Sequence, residues 1–238
     1  MGMRWAWGGV LAIAVTACGL VGGAPPPGGS VTMLDFSGSD FPFDNPVQGE
    51  MPGFAAGKWL VQGGTLDQVE GRQDNLASHL RYRGKAFGSD DGRAGRQYGL
   101  DVTCSAAREA ESSSVHGYPT GILACMPYYR DPTHYLMLVA ARQEIACWWV
   151  DGQRPAGATW PESARLWSRW LEAAMEASSS IRWGADVDIE RRQVAIRVDG
   201  RSVATVEVPG LDDRPHWVAL AANGNFVRFD DLRLVHRR

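Results

Sequence analysis

Four features are scarce in this 238-residue chain, and each scarcity removes a class of function. The leading apolar run, Trp5 to Val15, is about 11 residues, against the roughly 20 a bilayer-crossing helix needs. Positive charge is not in excess, with 24 Lys plus Arg against 27 Asp plus Glu. No basic field is therefore available to gather nucleic acid, and the pairs Arg191, Arg192 and Arg237, Arg238 read as solvated surface. Cysteine is limited to 4 residues, and neither Cys nor His recurs at the short paired spacings of a metal site. His134 and His216 each open a strand-like segment with no ligand motif around them, and no cofactor motif is present. Helical periodicity is nearly missing.

What is abundant points to an ordinary globular domain: 45% hydrophobic residues, 21% charged, 10 Trp and 28 Gly. A length just above 200 residues suits a single all-β unit.

The first 17 residues carry one charge, Arg4, ahead of the apolar run and then small residues, which is the layout of an export signal. Val15, Thr16, Ala17 and Cys18 resemble the lipobox of bacterial lipoproteins at all four positions. The resemblance implies cleavage before Cys18 and lipid on that cysteine, an anchor stabilised by about 0.8 kcal/mol per buried methylene. Gly2 offers no myristoylation alternative, because Ala6 stands where Ser or Thr is required. Gly19 to Ser30 is Gly, Pro and small residues, a tether that extends to at most roughly 40 Å. The expected organisation is a signal peptide over 1–17, a lipidated cysteine and tether over 18–31, and one domain over 32–238, held by lipid at a membrane in the cell envelope, on its periplasmic or cell-surface side.

From Val31 onward short alternating runs are punctuated by Gly, Pro, Asp and Asn, the texture of a sandwich or barrel. The clearest strands are Tyr98 to Ser105, Thr120 to Tyr128, His134 to Ala141, Gln143 to Val150, Asp186 to Glu190, Gln193 to Asp199, Ser202 to Val208, His216 to Ala222 and Phe226 to Val235. Asp199-Gly200 between alternating strands is a hairpin signal. One segment departs from this texture. Pro161 to Ser178 spaces Leu166, Trp167, Trp170, Leu171, Ala174 and Met175 by three and four, and Thr159 with Glu162 fits a capping box, so an inserted helix is expected there, docked on the sheet.

Three local patterns resemble the concanavalin A-like lectin/glucanase superfamily, especially its laminin-G-like and 3-keto-disaccharide hydrolase-like jelly rolls. The closing run Phe226, Val227, Arg228, Phe229, Asp230, Asp231 and Leu232 is similar to that superfamily's terminal strand. Trp59, Leu60, Val61, Gly63, Gly64 and Leu66 resemble its first hairpin, and Val198, Asp199, Gly200 and Val203 a late one. The resemblance implies an all-β antiparallel jelly-roll sandwich. It leaves the activity open, because enzymes, sugar binders and adhesion modules share that architecture.

Catalysis on such a fold needs two carboxylates flanking a glycosidic bond. Asp186, Asp188 and Glu190 alternate with Val187 and Ile189 as the candidates, a pattern that any half-exposed strand also shows. Sugar binding needs flat aromatic rings beside polar groups. Trp148 and Trp149 are consecutive, so one meets the core and the other the opposite face, and Tyr128, Tyr129 and Arg130 make a similar set. Cys104 with Cys125 is the disulfide expected, on adjacent strands, while Cys147 stands two strands from Cys125, roughly 10 Å away and beyond disulfide reach. The functional expectation is a lipid-anchored module binding a glycan or another envelope ligand without catalysis. The alternative is a glycoside hydrolase or lyase related to the 3-keto-disaccharide enzymes.

Overall fold

The computed structural model describes residues 30–34, 36, 42–44, 57–69, 77–84, 86–87, 96–106, 122–141, 143–152, 164–172, 175, 179–223 and 226–237. Residues 1–29, which include the expected export signal, Cys18 and most of the expected tether, lie outside them. No helix among the described residues is long and apolar enough to cross a membrane.

The described strands are β1 (Ser30–Leu34), β2 (Phe43–Asp44), β3 (Trp59–Gln62), β4 (Thr65–Gln68), β5 (Ala77–Tyr82), β6 (Gln97–Ala106), β7 (Ile122–Asp131) and β8 (His134–Ala141). They continue as β9 (Glu144–Asp151), β10 (Arg165–Trp170), β11 (Ser180–Asp188), β12 (Gln193–Val198), β13 (Arg201–Glu207), β14 (Trp217–Asn223) and β15 (Val227–Arg237). Two antiparallel sheets form a jelly-roll sandwich. The first runs β13-β12-β11-β6-β15-β4-β3, with β1 also on β15, and the second runs β10-β9-β8-β7-β14-β5-β2.

Local sequence explains several of the corners. Asp199 and Gly200 both take positive φ, 51° and 78°, and link β12 to β13 through a two-residue turn whose twist matches its strands. Gly63 and Gly64, at 58° and 82°, do the same between β3 and β4. The Asp230, Asp231 pair of the closing run makes a bulge. Asp231 takes φ 52° and its N–H donates to Asp230 Oδ1 at 2.7 Å, while the register of β15 shifts between Asp230 and Arg233. Before the bulge β15 pairs with β4, and after it with β1, so the motif passes one strand edge from one partner to the next.

Between the sheets, alternate residues close one core around Trp183, Tyr98, Phe229, Leu66 and Leu123, all below 2% exposed. Its polar atoms are satisfied across the sandwich. Trp183 Nε1 donates to the Leu123 carbonyl at 3.3 Å, and the Tyr98 hydroxyl donates to the Pro127 carbonyl at 2.8 Å.

Two expectations are corrected. The inserted helix is a strand: β10 pairs antiparallel with β9, Trp170 opposite Glu144 and Trp167 opposite Cys147. A register shift between Arg165 and Trp167 lets the consecutive Leu166 and Trp167 both pack on the core. That bulge imitates helical spacing, and ladder pairing with β9 outweighs a weak local helix preference. Thr159, Glu162 and Ala174 lie outside the described residues. The expected Cys104 to Cys125 bond is likewise not formed, and both thiols are free and buried, as is Cys147. Strands β6 and β7 are consecutive described strands but belong to opposite sheets. The two cysteines are therefore not the ladder neighbours expected, and their thiols meet the core from opposite layers.

Candidate binding face

The outer face of the second sheet gathers the aromatic candidates. Alternation sends Tyr128 and Trp149 into the core between the sheets, their rings 5.6 Å apart, and sends Tyr129 and Trp148 to the outer side. There Trp217, Tyr129 and Tyr135 lie in register across β14, β7 and β8. One pleat further along, Arg81 faces Ala219 across β5 and β14, and Met137 faces Trp148 across β8 and β9, with Arg165 opposite Trp148 on β10.

Each flank of this face carries the same device. On one side the Arg165 guanidinium lies 5.5 Å from the Trp148 ring centroid and pairs with Glu144 at 2.5 Å. On the other the Arg81 guanidinium lies 4.6 Å from the Trp217 ring and pairs with Asp44 through two hydrogen bonds, at 2.9 and 2.6 Å. The Asp44 hydrogen bond outweighs the opposing effect of burial and raises the Arg81 pKa, keeping the charge fixed over the ring. Between the flanks lies a buried strip of Ala124, Met126, Met137, Val139, Ala219 and Ala221 with Tyr129 and Tyr135. His79 stands edge-on to both tyrosines, 5.6 and 5.2 Å from their centroids. The Tyr129 hydroxyl is fully buried and has no hydrogen-bond partner among the described residues. Burial, then the nearby Asp131 charge, pushes its pKa up, so it remains a neutral donor. Arg130 does not join the face; it reaches Asp131 and Asp212 at the strand ends, both at 3.5 Å.

The acidic candidates are elsewhere. Asp186 and Asp188 share the outer face of the first sheet, while Glu190 lies beyond the end of β11, paired with Arg96 at 2.9 Å. Both oxygens of Asp186 are taken by guanidinium groups, Oδ2 by Arg197 and Oδ1 by Arg237 at 2.7 Å. Asp188 accepts from the Arg191 N–H and from Gln97 Nε2, each at 2.9 Å. On the second sheet, Glu144 and Asp44 are five strand steps apart, about 24 Å at the interstrand spacing. Asp131 and Asp151 both contact the His134 ring, at 2.9 and 3.2 Å.

Trp217, Arg81, Arg165 and His79 were not among the sequence candidates. For Trp217 the available signal was its phase: it is two residues ahead of Ala219, on the same side of β14. His79 and Arg81 sit on the short strand Ala-Ser-His-Leu-Arg-Tyr, which has no β-branched residue to announce it.

No protein family and no curated protein matches this sequence. Solved structures do match in shape. A non-specific endo-β-1,3(4)-glucanase of family GH16 superposes with a TM-score of 0.56 at 14% identity, covering 90% of this chain and 94% of the other. The carbohydrate-recognition domain of Emp47p gives 0.52 at 13% identity, over 76% and 85%. The carbohydrate-binding module CBM66 from Bacillus subtilis gives 0.51 at 10% identity, over 81% and 94%. At these identities the likeness establishes the jelly-roll fold.

Proposed function

We propose that this protein is an exported, lipid-anchored module that binds carbohydrate on the outer face of its second sheet, without catalysis. The observation that carries the reading is the pairing of Trp148 with Arg165 and of Trp217 with Arg81 on one sheet face. An indole with a guanidinium stacked over it presents planar N–H donors for hydroxyls next to apolar ring surface for a pyranose face. The carbohydrate-binding structures of the same fold support the ligand class. The ion-paired state of Asp186 and the wide separation of Glu144 from Asp44 weigh against hydrolysis, which needs carboxyl groups roughly 5 to 10 Å apart.

Binding is tested on a glycan array with the whole chain in a detergent that has no sugar headgroup. The expected result is retention of at least one glycan, lost in Trp148→Ala and Trp217→Ala; hydrolysis of the bound glycan would overturn the non-catalytic part. Export and anchoring rest on Val15 to Cys18. Mass spectrometry of the protein from bacterial membranes should find Cys18 as the N-terminus with diacylglycerol on its sulfur, and a soluble Cys18→Ser product; an unmodified Cys18 would remove the anchor.

A further inference from the structure

We propose that the outer face of the first sheet carries a second, separate site, for a neutral hydroxyl-rich ligand of monosaccharide size. The site is an open depression of about 420 Å³, within the roughly 300–1,000 Å³ range of small-molecule sites. Its existence follows from side-chain length. Across β13, β12, β11 and β6 one row reads Thr205, Ala195, Asp186, Gly99, so short residues stand on both sides of Asp186. Space at Gly99 is tight, since a Cβ there would lie 3.0 Å from Asp186 Oδ1. The next row, Gln193, Asp188, Gln97 and Arg237, is long and polar and forms a wall. Arg191 overhangs from the turn after β11, its side chain 77% exposed.

The ligand class follows from what these groups have left to offer. The two carboxylates of the lining, Asp186 and Asp188, are matched by the guanidinium groups of Arg237 and Arg191, the Arg197 guanidinium on Asp186 is answered by Asp101 at 3.2 Å, and Glu207 stands opposite Gln193 at the outer edge. The depression therefore carries no positive surplus to select an anion. Gln193 and Thr205 form no side-chain hydrogen bond among the described residues, and both can donate and accept, as a hydroxyl-rich ligand requires. The Ala195 methyl supplies a small apolar floor. This site shares no side chain with the face of Trp148 and Trp217, so the two stand or fall separately.

The test is side-chain amide NMR of the full chain, in a detergent without a sugar headgroup, titrated with glucose, galactose, mannose and glucuronate. At least one neutral hexose should shift the Gln97 and Gln193 amide signals saturably in the millimolar range. Ala195→Leu, which fills the depression on an exposed sheet face, should weaken that response by about tenfold or more at an unchanged melting temperature. Trp148→Ala should leave it intact. Shifts with glucuronate alone would overturn the neutral class. No saturable shift with any sugar, or equal shifts in Ala195→Leu, would overturn the site.

Discussion

The two outer faces of the sandwich are built on opposite principles. On the first sheet, charge is answered by charge: Asp186 by Arg197 and Arg237, Asp101 by Arg197 at 3.2 Å, and Asp67 by Arg228 through two hydrogen bonds at 2.9 and 2.8 Å. On the second, arginines lie over tryptophan rings and flank a buried apolar strip. The difference lies in what each guanidinium meets, carboxylates alone on the first sheet and a carboxylate together with an indole ring on the second. Where each carboxylate already has its guanidinium the pairs hold the face together, and under the proposed function the ring-bearing face takes the glycan while the first sheet carries the smaller depression beside Asp186.

That contrast makes acid sensitivity the largest effect to look for, and it should belong to neither face. His216 is buried among rings, stacked on Tyr128 at 4.3 Å, with its Nδ1 on the Arg214 carbonyl at 2.7 Å and its Nε2 without a partner among the described residues. Burial lowers its pKa from 6.5 to about 4. The unfolded chain takes up this proton below 6.5 and the folded chain only near 4, so stability is full above the upper value and falls by about 3 kcal/mol on acidification through that window. Urea melts of His216→Phe across the window should be flatter than wild type; an unchanged slope would place the acid sensitivity elsewhere.

Next in size is Asp67→Asn. This carboxyl is buried, and although burial alone would raise its pKa, hydrogen bonds from Arg228, Gln62 and Thr65 hold it below the usual range. Its contribution is present above the ordinary carboxylate pKa and is lost as pH falls through the lowered one. The variant should lose on the order of 2 kcal/mol in urea melts near pH 7. Glu190→Gln, at an exposed pair with Arg96 and outside the depression beside Asp186, should leave both the melting temperature and glycan retention on the array unchanged. Loss of retention in that variant would return the acids of the first sheet to the functional site. The smallest effect concerns Cys147, whose thiol is pushed up to about 12 by burial. Peptide mapping after a thiol reagent at pH 8 should find Cys104, Cys125 and Cys147 unmodified in the folded protein and modified in denaturant.

Much of the architecture was readable because its signals are local. His134 to Ala141 forms a strand within those bounds, and Asp199-Gly200 forms its turn, because alternation and positive φ are properties of a few adjacent residues. The pairing of sheets is not local. Cys104 and Cys125 follow one another on successive described strands yet face each other from opposite layers, and no short-range pattern separates the two arrangements. The segment at Leu166 and Trp167 was misread for a related reason: a bulge changes which residues share a face, and bulges are fixed by the partner strand. At the candidate face, Trp148 and Tyr129 were legible as members of consecutive aromatic pairs. Their companions on β5, β10 and β14 come from distant parts of the chain and meet only across the ladder.

The central claim, that the ring-bearing face holds a glycan site, is tested most directly by calorimetric titration of a glycan retained on the array against wild type, Trp148→Ala, Trp217→Ala and Glu190→Gln. Each tryptophan variant should lose about tenfold or more in affinity, roughly 1.4 kcal/mol, while Glu190→Gln should bind as wild type does. Wild-type affinity in both tryptophan variants would contradict it.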